Sequence, residues 1–111
     1  MTISSYASTP ITTSYEFMKE FLDNSLYNQT GKISSEEYIH SLSSGHVIKV
    51  NVREPYYDKF DDKYIYVVLA SVTNRFGNEC VSVFIFDVKV ENKLEYYTHT
   101  ECINKVIELL S

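Results

Sequence analysis

The chain of 111 residues has no tryptophan, two prolines, three glycines and two cysteines, and each shortage closes off a class of function. Three scattered glycines cannot make a loop that cradles phosphates, which needs several bare backbone N–H groups in close succession. Two cysteines are too few for a disulfide scaffold. Neither has a second cysteine at ligand spacing, so Cys80 and Cys102 are read as reduced, buried small hydrophobes of a cytoplasmic protein. Basic charge is short as well. Arg53 and Arg75 are the only arginines, and 10 Lys and Arg stand against 15 Asp and Glu, a net charge of -5. Phosphate neutralisation supplies most of the affinity of a duplex-binding domain, so direct nucleic-acid binding is not expected. No apolar run approaches the roughly 20 residues that span a bilayer, and residues 1–13 lack the basic start and apolar core of a signal peptide. No membrane is implicated.

Catalytic and metal chemistry is equally thin. His40, His46 and His99 have no histidine partner one helical turn away, and Asp58, Asp61 and Asp62 lack the alternation and central glycine of a calcium loop. There is no Gly-x-Ser-x-Gly elbow, and the serines cluster at helix starts, where capping explains them. His99 and Cys102 fall within one helical turn, but Cys102 sits on an apolar stripe, and a reactive thiol needs exposure and a lowered pKa. The chain is read as non-enzymatic, with no metal and no cofactor. An enzyme would have to assemble scattered residues such as His46, Asp87 and His99.

What is present is a dense β segment. Residues 63–73 and 80–90 are rich in β-branched and aromatic side chains and are joined by a tight connection at 74–78, so they read as a long hairpin. In the second arm, Cys80, Ser82, Phe84, Phe86 and Val88 share one face and Val81, Val83, Ile85, Asp87 and Lys89 the other. Both faces are apolar at mid-strand and need cover from helices or a second subunit. A homodimer is the expected state if one face is left bare.

Around this hairpin the rest falls into order. Residues 1–12 show no periodicity and read as a flexible arm. Thr13 to Glu16 has the pattern of a capping box, and Phe17, Met18, Phe21, Leu22 and Leu26 recur at helical spacing until Gly31 ends the helix. Ser34 and Glu37 form a second capping box, with Ile33 and Tyr38 as its hydrophobic staple, so a second helix is expected over 35–43. Residues 46–53 alternate, with Ile48, Val50 and Val52 inward and Val47, Lys49, Asn51 and Arg53 toward water. Pro55 and the charges around it interrupt regular structure over 54–62. Residues 94–97 read as a fourth strand beside the second arm. Thr98 to Glu101 then caps a last helix whose apolar face is Cys102, Ile103, Val106, Ile107, Leu109 and Leu110. The expected fold is a single α+β domain of order ααββββα: a four-stranded antiparallel meander, an N-terminal helical hairpin and a C-terminal helix packed on the sheet.

The functional reading rests on 54–62. Tyr56, Tyr57 and Phe60 lie there among Glu54, Asp58, Asp61 and Asp62, and aromatic anchors rimmed by charge have the composition of a protein-binding patch. The same carboxylates complement a basic, nucleic-acid-handling partner. The competing structural role is a cap of rings folded over the sheet. In size, acidity and lack of catalytic machinery, the chain resembles in type the small binding proteins of phages and mobile elements: anti-CRISPR proteins, DNA mimics that inhibit DNA-processing enzymes, and immunity proteins. That resemblance implies an inhibitor that masks a partner protein. The alternative is a small dimeric transcriptional regulator using the two N-terminal helices as a helix-turn-helix. The second of these offers Glu36, Glu37, Tyr38, His40 and Ser41, a poor set for reading bases.

Overall fold

A computed structural model describes residues 3–24, 35–53, 55–89 and 95–111. Its elements run β1 (Ile3–Ile11), α1 (Tyr15–Asp23), β2 (Ser35–Ser41), β3 (Val47–Arg53), β4 (Tyr56–Asp58), β5 (Lys63–Thr73), β6 (Glu79–Lys89) and α2 (Glu95–Leu110). All pairings are antiparallel, in the order β1-β6-β5-β3-β2, with β4 also on β5. The central pair β5 and β6 stands where its sequence places it. Its turn is held by Asn74, whose side-chain oxygen accepts from the N–H groups of Phe76 and Asn78, and by Gly77 at φ 85°.

β3 and β4 are two pieces of one interrupted strand along β5. Val52 lies opposite Val68 and Tyr56 opposite Ile65, four steps on one side against three on the other. Pro55, which lacks an N–H to give to the ladder, comes just before pairing resumes. The segment expected to be irregular throughout is a paired strand over Tyr56–Asp58.

The four-stranded meander with a helical hairpin is overturned by a six-stranded sheet with two helices. Residues 3–11 are not a loose arm but β1, which pairs along β6 from Ile11 opposite Val81 to Ile3 opposite Val88. The expected second helix is instead β2, because Ser35 to Ser41 finds a complete partner in β3. A capping box is a local preference worth about 1 kcal/mol, and seven paired residues outweigh it. Residues 95–97 open α2 rather than forming a strand, so the expected cap at Thr98 falls inside the helix. α1 is capped by Ser14, whose hydroxyl accepts from the Phe17 N–H at 3.1 Å, one residue after the expected Thr13. Leu26, Gly31, Ile33 and Ser34 lie outside the described residues.

Two cores result. On one face Ile48, Val50, Val52, Tyr66, Val68, Ala70, Phe84, Phe86 and Val88 are buried against Cys102, Ile103 and Val106 of α2. Of the stripe expected for that helix, Ile107 and Leu110 pack at its margin and Leu109 is exposed. On the other face a smaller cluster of Tyr15, Leu69 and Val81 is joined by Ile11, Met18, Leu22 and Val83. Cover there is partial: Ile85 is 44% exposed, and Phe17 and Phe21, though they belong to the apolar stripe of α1, are 57% exposed each. Cys102 is buried and Cys80, contrary to expectation, is exposed; both thiols are free. Among the described residues no helix is long and apolar enough to cross a membrane.

Candidate partner-binding site

The β4–β5 hairpin carries the residues singled out from the sequence. Tyr56, Tyr57 and Asp58 form β4, and Phe60, Asp61 and Asp62 belong to the turn; Glu54 lies outside the described residues. The turn is preorganised by its own carboxylates. Asp58 Oδ1 accepts from the N–H groups of Phe60 and Asp61 at 3.0 and 3.4 Å, an Asx turn. Asp62 takes φ 49°, a left-handed conformation that Asp tolerates better than most residues, and its carboxylate accepts from the Tyr57 hydroxyl at 2.6 Å. That hydrogen bond raises the Tyr57 pKa above its ordinary value. The Tyr57 ring leans on Tyr64 across the ladder, with centroids 5.3 Å apart. So the aspartates expected to reach outward are divided: Asp58 and Asp62 lock the turn, while Asp61 is exposed, 3.9 Å from Lys63.

Phe60 stands at the apex. It is 88% exposed, more than any other large apolar side chain among the described residues, with the Lys59 ammonium 5.6 Å from its ring centroid. Tyr56 and Tyr57 flank it and are exposed too. The rings do not fold over the sheet as a cap.

A second polar constellation went unnoticed in the sequence. Under α1, Arg53 is 1% exposed; it pairs with Asp23 of the helix and donates to Asn51 Oδ1 at 2.9 Å. The Tyr15 hydroxyl donates to Glu37 at 2.8 Å, Lys19 approaches the same carboxylate at 3.5 Å, and Lys49 stands 5.2 Å over the Tyr15 ring. The hydrogen bond from Tyr15 holds the Glu37 carboxyl below its ordinary value, against the opposing effect of burial. Burial and that same bond raise the Tyr15 phenol, which keeps it protonated. The signal available was only positional: Asn51 and Arg53 alternate with core valines, and a strand's polar face reads as water-facing until the helix above is known to carry charges of its own.

This network ties α1 to β2 and β3. Burial pushes the Cys102 thiol up to about 12, away from nucleophilic use. His46 meets Ser44 in the β2–β3 turn, Asp87 binds Lys63 on the α1 face, and His99 sets its ring edge on Tyr66 on the α2 face. The fold does not bring those three together. No group of three His, Cys, Asp or Glu side chains at metal-binding distance occurs among the described residues. The chain matches no protein-family model, no curated protein and no solved structure.

Proposed function

We propose that the chain is a non-enzymatic protein-binding module that masks a partner protein, with the β4–β5 hairpin as its contact surface. The observation that supports this most is Phe60, a phenylalanine held out at the apex of a turn fixed by Asp58 and Asp62. Leaving such a ring in water has no folding benefit, and fixing the turn in advance reduces the ordering cost on binding. Large rings on rigid supports are the usual anchors of protein interfaces, and binding residues favour loops carried by a sheet. The net charge of -5 and the exposed Asp61 favour a basic partner by steering its approach. An inhibitor of the phage or mobile-element type fits this reading, acting in the cytoplasm, where free thiols at Cys80 and Cys102 persist.

The experiment is affinity capture from the native host with the wild-type chain beside Phe60→Ala and Tyr57→Ala, followed by rate measurements on the captured protein. Faster dissociation is expected for both variants, at a cost of roughly 2 kcal/mol or more. Asp61→Asn should instead slow association, with added salt erasing the difference. Equal capture and equal rates for all variants would refute the assignment. The regulator alternative loses the helix that was to enter DNA, since 35–41 is a strand.

A further inference from the structure

β1 and β2 are the two edges of the sheet, and they are defended differently. β2 carries Glu36 and Glu37, and charge on an edge strand keeps other strands from pairing with it. β1 has no charged side chain, and Ser5 to Pro10 are all exposed. It is blunted only at its ends, by Pro10 and by the shift of register between Ile3 and Ser5. The helices lie mainly away from it, α2 over β3 and β5 and α1 over β5, although Lys105 of α2 reaches the Tyr6 ring.

The ladder shows which backbone groups of β1 are left over. Antiparallel partners alternate between pairs that exchange both hydrogen bonds and pairs that exchange none. The Asn74 N–H donates to the Asn78 carbonyl at 3.0 Å, and the register continues unbroken from there to Lys63 opposite Lys89. Even-numbered residues of β6 therefore bond to β5, and Val81, Val83, Ile85 and Asp87 turn to β1. Their mates are Ile11, Thr9, Ala7 and Ser5. Tyr6, Ser8 and Pro10 then point their backbone outward, where the missing N–H of Pro10 costs the β6 ladder nothing. Tyr6 and Ser8 each hold out an N–H and a C=O that no described residue meets, and another strand satisfies both at once.

The strand that fits is a second β1. Antiparallel pairing across a two-fold axis at Ala7 sets Tyr6 of each copy opposite Ser8 of the other, so every outward N–H and C=O of both residues is used. Moving the axis to Ser8 would set Tyr6 against the proline, and moving it to Tyr6 would set Ser8 against the shifted end of β1. Charge favours the same contact. Two chains of net charge -5 repel over most of their surface, and a strand without charge is where they can meet. We propose that the chain dimerises edge to edge through β1, with Ala7 on the axis and one sheet running through both copies. The β4–β5 hairpin lies on the far side of β5 and stays free in each copy.

Sedimentation velocity on the intact chain, from low to high micromolar concentration, should show a reversible monomer–dimer equilibrium. Ser8→Pro removes an outward N–H and no bond to β6. It should weaken the dimer by at least about tenfold, the effect of roughly 1.4 kcal/mol, with the circular dichroism of the monomer unchanged. Ala7→Lys sets two ammonium groups side by side at the axis and should weaken it too, with added salt restoring part of the loss. Cross-linking reads the register. In a Cys80→Ser background, Ala7→Cys should form a disulfide between copies on mild oxidation, because facing residues of a pair without hydrogen bonds lie about 4.5 Å apart at Cα. Thr9→Cys should not, since its mate across the axis is Ser5. A chain monomeric at every concentration, or a dimer indifferent to Ser8→Pro and Ala7→Lys, would overturn the proposal. So would equal cross-linking at positions 7 and 9.

Discussion

The two faces of this sheet are closed by different means although they share the same strands. Toward α2, β3 contributes Ile48, Val50 and Val52, which meet Cys102, Ile103 and Val106 in a continuous apolar core. Toward α1, the alternate positions of the same strand are Lys49, Asn51 and Arg53, and the helix answers with Glu16 and Asp23. The first face is held by area removed from water, which is insensitive to pH and tolerant of small changes in angle. The second has a smaller apolar cluster around Tyr15, Leu69 and Val81 and adds directional contacts to charges, of which the Arg53–Asp23 pair is buried on its arginine side, so that losing one partner strands the other. Apolar closure covers the sheet; charged closure fastens a helix at chosen points and leaves bare what lies between them, as at Ile85.

Substitutions ordered by expected cost sharpen that contrast. Phe84→Ala, in the apolar face, should destabilise by about 3–5 kcal/mol in urea or guanidinium unfolding, the usual cost of deleting a buried aromatic. A loss below about 1 kcal/mol would mean that the face is less tightly packed than its burial indicates. Arg53→Ala should cost about 3 kcal/mol, toward the lower end for a broken buried pair because Asp23 keeps some contact with water. If Arg53→Ala proved neutral, the charged face would be ornament rather than fastening.

Tyr15→Phe comes next, at about 1.5–3 kcal/mol near neutral pH, because it removes a hydrogen bond to a carboxylate. The sign of its pH dependence follows from Glu37. That carboxyl titrates below its ordinary value of 4.5 in the folded chain, so its contribution is present above the unfolded value and is lost as pH falls through the folded one. Wild type and Tyr15→Phe should therefore converge in acid when unfolding is followed at a series of pH values, whereas the deficit of Phe84→Ala should persist. Ile85→Ser closes the series. It should shift stability by less than about 1 kcal/mol, since nearly half of its side chain is already in water.

The sequence made the hairpin of β5 and β6, the inward face of β3 and most of the inward face of α2 legible, because each has a strict period and enough apolar side chains to declare it. It did not make β1 legible. Ile3 to Ile11 is Ser- and Thr-rich and exposed on both sides over most of its length, so its strand character comes from β6 rather than from its own pattern. β2 was obscured by two helix-start signatures, and nothing local shows that β3 will offer it a full ladder. At the candidate site, the clustering of Tyr56, Tyr57 and Phe60 was legible, but whether the rings stand out or fold over the sheet was not. The inward duties of Asp58 and Asp62 were not, because a carboxylate that caps a turn and one that faces a partner look alike in a sequence. Phe17 and Phe21 fit the period of α1 but not its depth, since periodicity cannot tell how wide a strip of sheet the helix will cover.

The pairing of β1 with β6 also fixes the order in which the chain can mature during synthesis. β1 has its partner 70 to 85 residues downstream, between Ile11 opposite Val81 and Ile3 opposite Val88. At about 5–20 residues per second, a ribosome leaves that strand without its mate for several seconds or more. Over that interval a stretch without a single charged side chain is displayed beside a growing chain. The β5–β6 hairpin, whose contacts are local, can zip as it emerges, but the sheet acquires its last edge only afterwards, through a long loop closure that is entropically slow. A ribosome stalled before Val81 would hold a chain that lacks the mate of β1, and such nascent chains are where aggregation or chaperone capture should concentrate.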